Sequence, residues 1–206
     1  MTMTFNVFLY GIITLFLSAC GGGGGDRGGS SVTSVVCIGD SITAGSRLSG
    51  GQAYPSQLSA MIGVPVINAG VPGQTSAGGV GRISSLIDNT KPSHICILYG
   101  SNDAIQDVAP TVTFINIVAM VNTAIAKGVV PVVGTIPPMI GERAIFQPRV
   151  NQLNDGIPGV VSDNGGKVAD SAGPFGSDGS GLLQSDNLHP NASGAIAIAT
   201  AFANQL

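Results

Sequence analysis

Apolar and polar positions fall in blocks along this chain. Short β-branched runs give way to longer stretches with helical spacing. Residues 32–39 (VTSVVCIG), 64–69 (VPVINA), 93–99 (SHICILY) and 129–136 (VVPVVGTI) are near-continuous apolar runs of strand length. That is the pattern of strands buried on both faces. Residues 167–171 (KVADS) form a weaker fifth run. The stretches between them predict helices. Residues 53–62 carry Pro55 near their start, where a proline fits a first helical turn. Residues 77–88 place Val80, Ile83, Leu86 and Ile87 on one face, and 112–127 stop before Gly128, a C-terminal cap signal. Residues 142–161 have helical spacing that Gly156 and Pro158 interrupt. A Gly/Ser/Asp-rich loop over 173–188 leads to Pro190, which opens a last helix with apolar Ile196, Ile198, Ala199 and Phe202. Strand–helix alternation without an internal repeat predicts an α/β fold. It has three layers, α/β/α, around a parallel sheet of about five strands.

The first 31 residues stand outside that pattern. The apolar run in residues 1–20 is too short to span a bilayer and reads as a signal peptide. It ends in Leu17-Ser18-Ala19-Cys20, which resembles the lipobox of bacterial lipoproteins, although no Lys or Arg lies in the first six residues. Residues 21–31 are a Gly/Ser-rich tether with a root-mean-square reach of roughly 18 Å, and 32–206 form one domain. The expectation is an exported envelope protein lipidated at Cys20 that meets the membrane only through this anchor. A secreted or periplasmic protein is the alternative. Composition narrows the partners. With a net charge of −3, no basic cluster and no Trp, the chain lacks a nucleic-acid surface. Cys37 and Cys96 fall inside core strands and read as buried thiols rather than a disulfide.

Four motifs carry the chemistry: Gly39-Asp40-Ser41, Gly70 within Asn68-Ala69-Gly70, Gly100-Ser101-Asn102-Asp103, and Asp186-Asn187-Leu188-His189-Pro190. The first three follow predicted strands, and ligands of parallel sheets bind beyond the carboxyl ends of strands. The motifs therefore converge on one edge. Ser41 is the candidate nucleophile, since a serine hydroxyl beside a base can form a covalent intermediate. His189 is the candidate base. The other histidine, His94, begins the third strand at the far edge and reads as a surface residue. Asp186, three residues before His189, would orient its imidazole; Asp170 and Asp178 have no histidine in reach. Asp40 and Asp103 are expected to support their loops by accepting backbone N–H bonds.

With these motifs in order, the chain resembles the SGNH subgroup of GDSL esterases and lipases from about Val32 to its end. Within that family it is most similar to the small lysophospholipase/thioesterase/arylesterase-like members, through Ala53-Tyr54-Pro55 and Gly73-Gln74-Thr75-Ser76-Ala77-Gly78-Gly79. The resemblance implies a flavodoxin-like hydrolase fold and a serine esterase working through an acyl-enzyme on Ser41. It also implies an oxyanion hole made by the N–H of Ser41, the N–H of Gly70 and the side-chain amide of Asn102. No cofactor or metal is expected, the partner is a small ester substrate, and the chain is expected to act as a monomer. The alternative is a non-catalytic surface lipoprotein binding a glycan or partner on the same fold. A nucleotide or flavin binder is disfavoured, because no Gly-x-Gly-x-x-Gly or P-loop follows the first strand. Short acyl esters, acetylated sugars, lysophospholipids and thioesters remain open as substrates.

Overall fold

A computed structural model describes residues 31–206; Cys20 and most of the tether lie outside the described residues. Five strands, β1 (Val35–Gly39), β2 (Val66–Gly70), β3 (His94–Leu98), β4 (Val130–Gly134) and β5 (Lys167–Ala169), form one parallel sheet in the order β2-β1-β3-β4-β5. The order reverses between β1 and β3, so the switch point lies between the ends that carry Ser41 and Asn102.

The side-chain period of two splits each inner strand between two cores. Val36 and Ile38 of β1, with Ile95 and Ile97 of β3, face the helices α3 (Ser76–Thr90), α5 (Pro110–Ala126) and α6 (Gln147–Asp163). Val35, Cys37, Cys96 and Leu98 face α2 (Tyr54–Ile62) and α7 (Ala192–Ala203). On that side Tyr54 stacks on Phe202 with ring centroids 5.4 Å apart. The short helices α1 (Ser41–Ala44) and α4 (Ser101–Ile105) follow β1 and β3. Cys37 and Cys96 are direct cross-strand neighbours, fully buried, and their thiols are free.

Three elements depart from the sequence-based expectations. Helix α6 runs unbroken through Gly156 and Pro158. Its face of Val150, Leu153, Ile157 and Val161 is fully buried, which outweighs one lost helical hydrogen bond, and Gly156 makes room for the Phe114 ring. Residues 141–146 form a separate 3-10 turn ahead of it. Pro190 precedes α7 without opening it. Asn191 caps that helix, its side chain accepting from Gly194 N at 3.0 Å.

Candidate active site

β1 ends where the backbone is crowded. A Cβ on Gly39 would lie 2.0 Å from Thr43 Oγ1 and 2.6 Å from the Leu98 carbonyl, so only glycine lets β3 and α1 approach. The chain then turns at Asp40, which is 1% exposed and caps α1 by accepting Ile42 N–H at 2.9 Å. Ser41 follows at the first position of that turn.

The His189 loop is built by its own aspartate. Asp186 Oδ1 accepts the N–H of Leu188 at 3.2 Å and of His189 at 3.0 Å, while Asn187 takes a left-handed φ of 60°. Gln184 Nε2 ties the loop to the turn that follows α1 through the Ser46 carbonyl at 3.0 Å. The second oxygen of Asp186 meets His189 Nδ1 at 2.7 Å, and His189 Nε2 meets Ser41 Oγ at 2.8 Å. The carboxylate acceptor puts the proton on Nδ1, so Nε2 faces the hydroxyl as an acceptor. Arg47 adds an ion pair to Asp186 at 3.1 Å from an exposed position. Burial raises the Asp186 carboxyl, but the bonds from the His189 ring and the two N–H groups prevail and hold it below its usual range. Asp170 and Asp178 are engaged elsewhere, Asp170 with Thr135 and Gly173 and Asp178 with Ser180.

Asn102 is the second residue of α4. Its Nδ2 donates to Asp40 Oδ2 and to the Gln74 carbonyl, both at 3.2 Å. Burial pushes the Asp40 carboxyl up to about 7, the nearby Asp103 adds to that, and the bonds from Ile42 and Asn102 oppose it. Asp103 is fully buried and reaches across the edge rather than along its own loop: it accepts Ser76 N–H at 2.9 Å, the Ser76 hydroxyl, and Thr113 Oγ1 at 3.2 Å.

One expected donor is engaged elsewhere, and one expectation needs correction. The Gly70 N–H is committed to Asn68 Oδ1 at 3.0 Å. Its glycine serves packing, because a Cβ there would lie 2.1 Å from Ala44 N. Three residues on, Gly73 has φ +78° and open space where a Cβ would stand, and its N–H pairs with none of the backbone carbonyls among the described residues. Gly73 immediately precedes Gln74, whose carbonyl holds Asn102. Its signal in the sequence was a second glycine between strand and helix. His94 is not a surface residue; it is 1% exposed at the amino end of β3, its Nδ1 3.1 Å from Ser93 Oγ. Burial holds its ring below the ordinary histidine value, with Lys167 adding to the effect.

A Ser–His–Asp chain of contacts thus sits at the switch point of a doubly wound parallel sheet. Residues 37–196 match the model of the GDSL-like lipase/acylhydrolase family. The chain belongs to that family and is a carboxylic ester hydrolase. It is similar to the esterase TesA of Pseudomonas aeruginosa, 29% identical over 167 residues that cover 76% of this chain and 79% of TesA. It is also 29% identical to an arylesterase of Vibrio mimicus over 116 residues, 53% of this chain and 58% of that one. Among solved structures, a member of the lipolytic G-D-S-L family from Veillonella parvula superposes with a TM-score of 0.73 at 24% identity, covering 82% of this chain and 96% of that one.

Proposed function

We propose that this protein hydrolyses small carboxylic esters through an acyl-enzyme on Ser41, with His189 as general base and Asp186 as its orienter. The contact of His189 Nε2 with Ser41 Oγ at 2.8 Å, backed by Asp186 at 2.7 Å, carries the proposal. Ser41 Oγ attacks the ester carbonyl as its proton passes to Nε2. The Ser41 and Gly73 N–H groups and the Asn102 amide receive the oxyanion. Collapse expels the alcohol, which takes the proton from His189. A water then enters, gives a proton to Nε2 and attacks the acyl carbon, and the acid leaves as Ser41 recovers its hydrogen. Asp186 stays ionised throughout and steadies the imidazolium, in keeping with the lowered value of its carboxyl.

Ser41→Ala tests the assignment. Turnover of p-nitrophenyl esters should vanish while the circular dichroism spectrum is unchanged, and a fluorophosphonate should add its mass to the Ser41 peptide of the wild type alone. Activity above a few per cent in the variant would remove Ser41 from the mechanism. A panel of esters of rising acyl length would define the substrate. The chain is further proposed to be anchored in the cell envelope by a lipid on Cys20; Cys20→Ser should move the enzyme from the membrane fraction to the soluble one at unchanged specific activity.

A further inference from the structure

The three segments that supply the oxyanion donors meet at one side chain that takes no part in the chemistry described above. Arg82 lies on α3, half-buried. Its Nη2 donates to the Gly39 carbonyl at 3.1 Å and to the Tyr99 hydroxyl at 2.6 Å, and its Nε donates to Gln74 Oε1 at 2.7 Å. The Tyr99 hydroxyl closes the ring by donating to the same Gln74 oxygen at 2.7 Å. Each partner belongs to a different arm of the site. Gly39 ends β1, just before Asp40 and Ser41. Gln74 follows Gly73, and its main-chain carbonyl holds Asn102 Nδ2 at 3.2 Å. Tyr99 leaves β3 on the way to Asn102.

Helix α3 is shaped to admit this cluster. Gly78 and Gly79 are consecutive glycines within the helix, a costly choice for helix stability alone. A Cβ on Gly78 would fall 2.3 Å from Gln74 Cγ, and one on Gly79 2.6 Å from Tyr99 Cε2. Both glycines make room for the two residues that Arg82 binds. The guanidinium forms no ion pair with a carboxylate among the described residues. Its bonds go to neutral oxygens, which fits a planar fork used to fix geometry. Tyr99 is 1% exposed, and burial pushes its hydroxyl up to about 12, so it remains a donor at any pH of interest.

We propose that Arg82 is a positioning residue for the oxyanion hole, locking the Ser41, Gly73 and Asn102 segments in register through Gly39, Gln74 and Tyr99. This rests on the esterase mechanism proposed above. Oxyanion stabilisation depends on donors fixed before the charge appears, so loosening the cluster weakens transition-state binding more than substrate binding.

The test is steady-state kinetics on p-nitrophenyl butyrate with the full chain, comparing Arg82→Met, Arg82→Lys and Gln74→Met. Gln74→Met removes the side-chain acceptor, keeps the main-chain carbonyl, and serves if Arg82→Met does not fold. Both Met variants should lose roughly 10-fold to 100-fold in kcat with KM within about two-fold of wild type, and Arg82→Lys should recover part of the loss. The affinity of a boronic acid, whose tetrahedral adduct carries the oxyanion, should fall by the same factor, while a fluorophosphonate still titrates one Ser41 per chain at completion. A merely structural role would lower the melting temperature and leave kcat per titrated site intact. Unchanged kcat in the Met variants, or a rise in KM alone, overturns the assignment. If wild type takes no phosphonate on Ser41, the esterase mechanism falls first and the role of Arg82 with it.

Discussion

Asn102 and Asp40 meet across the switch point of the sheet, with Asn102 Nδ2 donating to Asp40 Oδ2 at 3.2 Å. The residue just before the proposed nucleophile therefore holds the amide that the proposed mechanism turns toward the oxyanion. The second hold, from the Gln74 carbonyl at 3.2 Å, comes from the β2–α3 loop. Both bonds are long, so the amide is positioned without being strongly satisfied. Asn102→Ala should lower kcat by roughly 10²–10³ with little change in KM, the signature of a lost oxyanion donor. A rise in KM at constant kcat would show that Asn102 binds ground-state substrate.

Asp40 also gives the fold a pH dependence. Burial moves its carboxyl from 3.8 to about 7, so the folded chain binds that proton more tightly than the unfolded chain. Its contribution is complete below about pH 4 and is lost as pH rises to about 7. His94 acts in the opposite sense: its ring is held below 6.5, so its contribution is present above that value and is lost as pH falls. Asp40→Asn cannot ionise, so it removes the Asp40 part of the slope and leaves the rest, that of His94 included. Urea denaturation at about pH 5 and about pH 8 should show the variant gaining roughly 2–4 kcal/mol on wild type between the two. A difference independent of pH would mean that Asp40 is ionised throughout.

The two histidines separate site from scaffold. His94→Gln should keep kcat within about two-fold of wild type. Any change should appear in the melting temperature, because the residue is buried at the opposite end of β3. His189→Gln should lower kcat by about 10⁴-fold or more. Equal losses in the two variants would contradict the separation of His94 from the carboxyl edge.

What the sequence revealed follows from what is local. Continuous apolar runs marked the inner strands because parallel strands are buried on both faces, and the motifs at two of their ends placed Ser41 and Asn102 at one edge of the sheet. Asp186 was legible because its contact spans only three residues. Long-range facts were not legible. Nothing near Pro158 announces that packing of Ile157 and Val161 would keep α6 unbroken. His94 is buried by tertiary neighbours, and the position of a residue along a strand does not reveal that. Arg82 gave one faint sign, a lone cation beside the apolar positions Val80 and Ile83. Its partners lie 8, 17 and 43 residues away, and only the folded chain brings them together.

Gly70 and Gly73 show why the choice between two glycines required the fold. Both follow the same apolar run, so the run alone does not distinguish them. The Gly70 N–H is bonded to Asn68, whereas that of Gly73 is paired with no backbone carbonyl among the described residues. Alanine separates their packing roles. Gly70→Ala drives a Cβ to 2.1 Å from Ala44 N, and such overpacking against backbone should cost roughly 1–3 kcal/mol or more. Gly73→Ala meets nothing within 4 Å but has a left-handed φ of +78°, a cost of about 1–2 kcal/mol. Removing the N–H itself separates their chemical roles. Glycolic acid incorporated at position 73 replaces that N–H by an ester oxygen and should lower kcat by roughly 10²–10³. The same exchange at position 70 should leave kcat within about ten-fold. If the larger loss falls at position 70 instead, Gly70 is the oxyanion donor and its bond to Asn68 opens when substrate arrives.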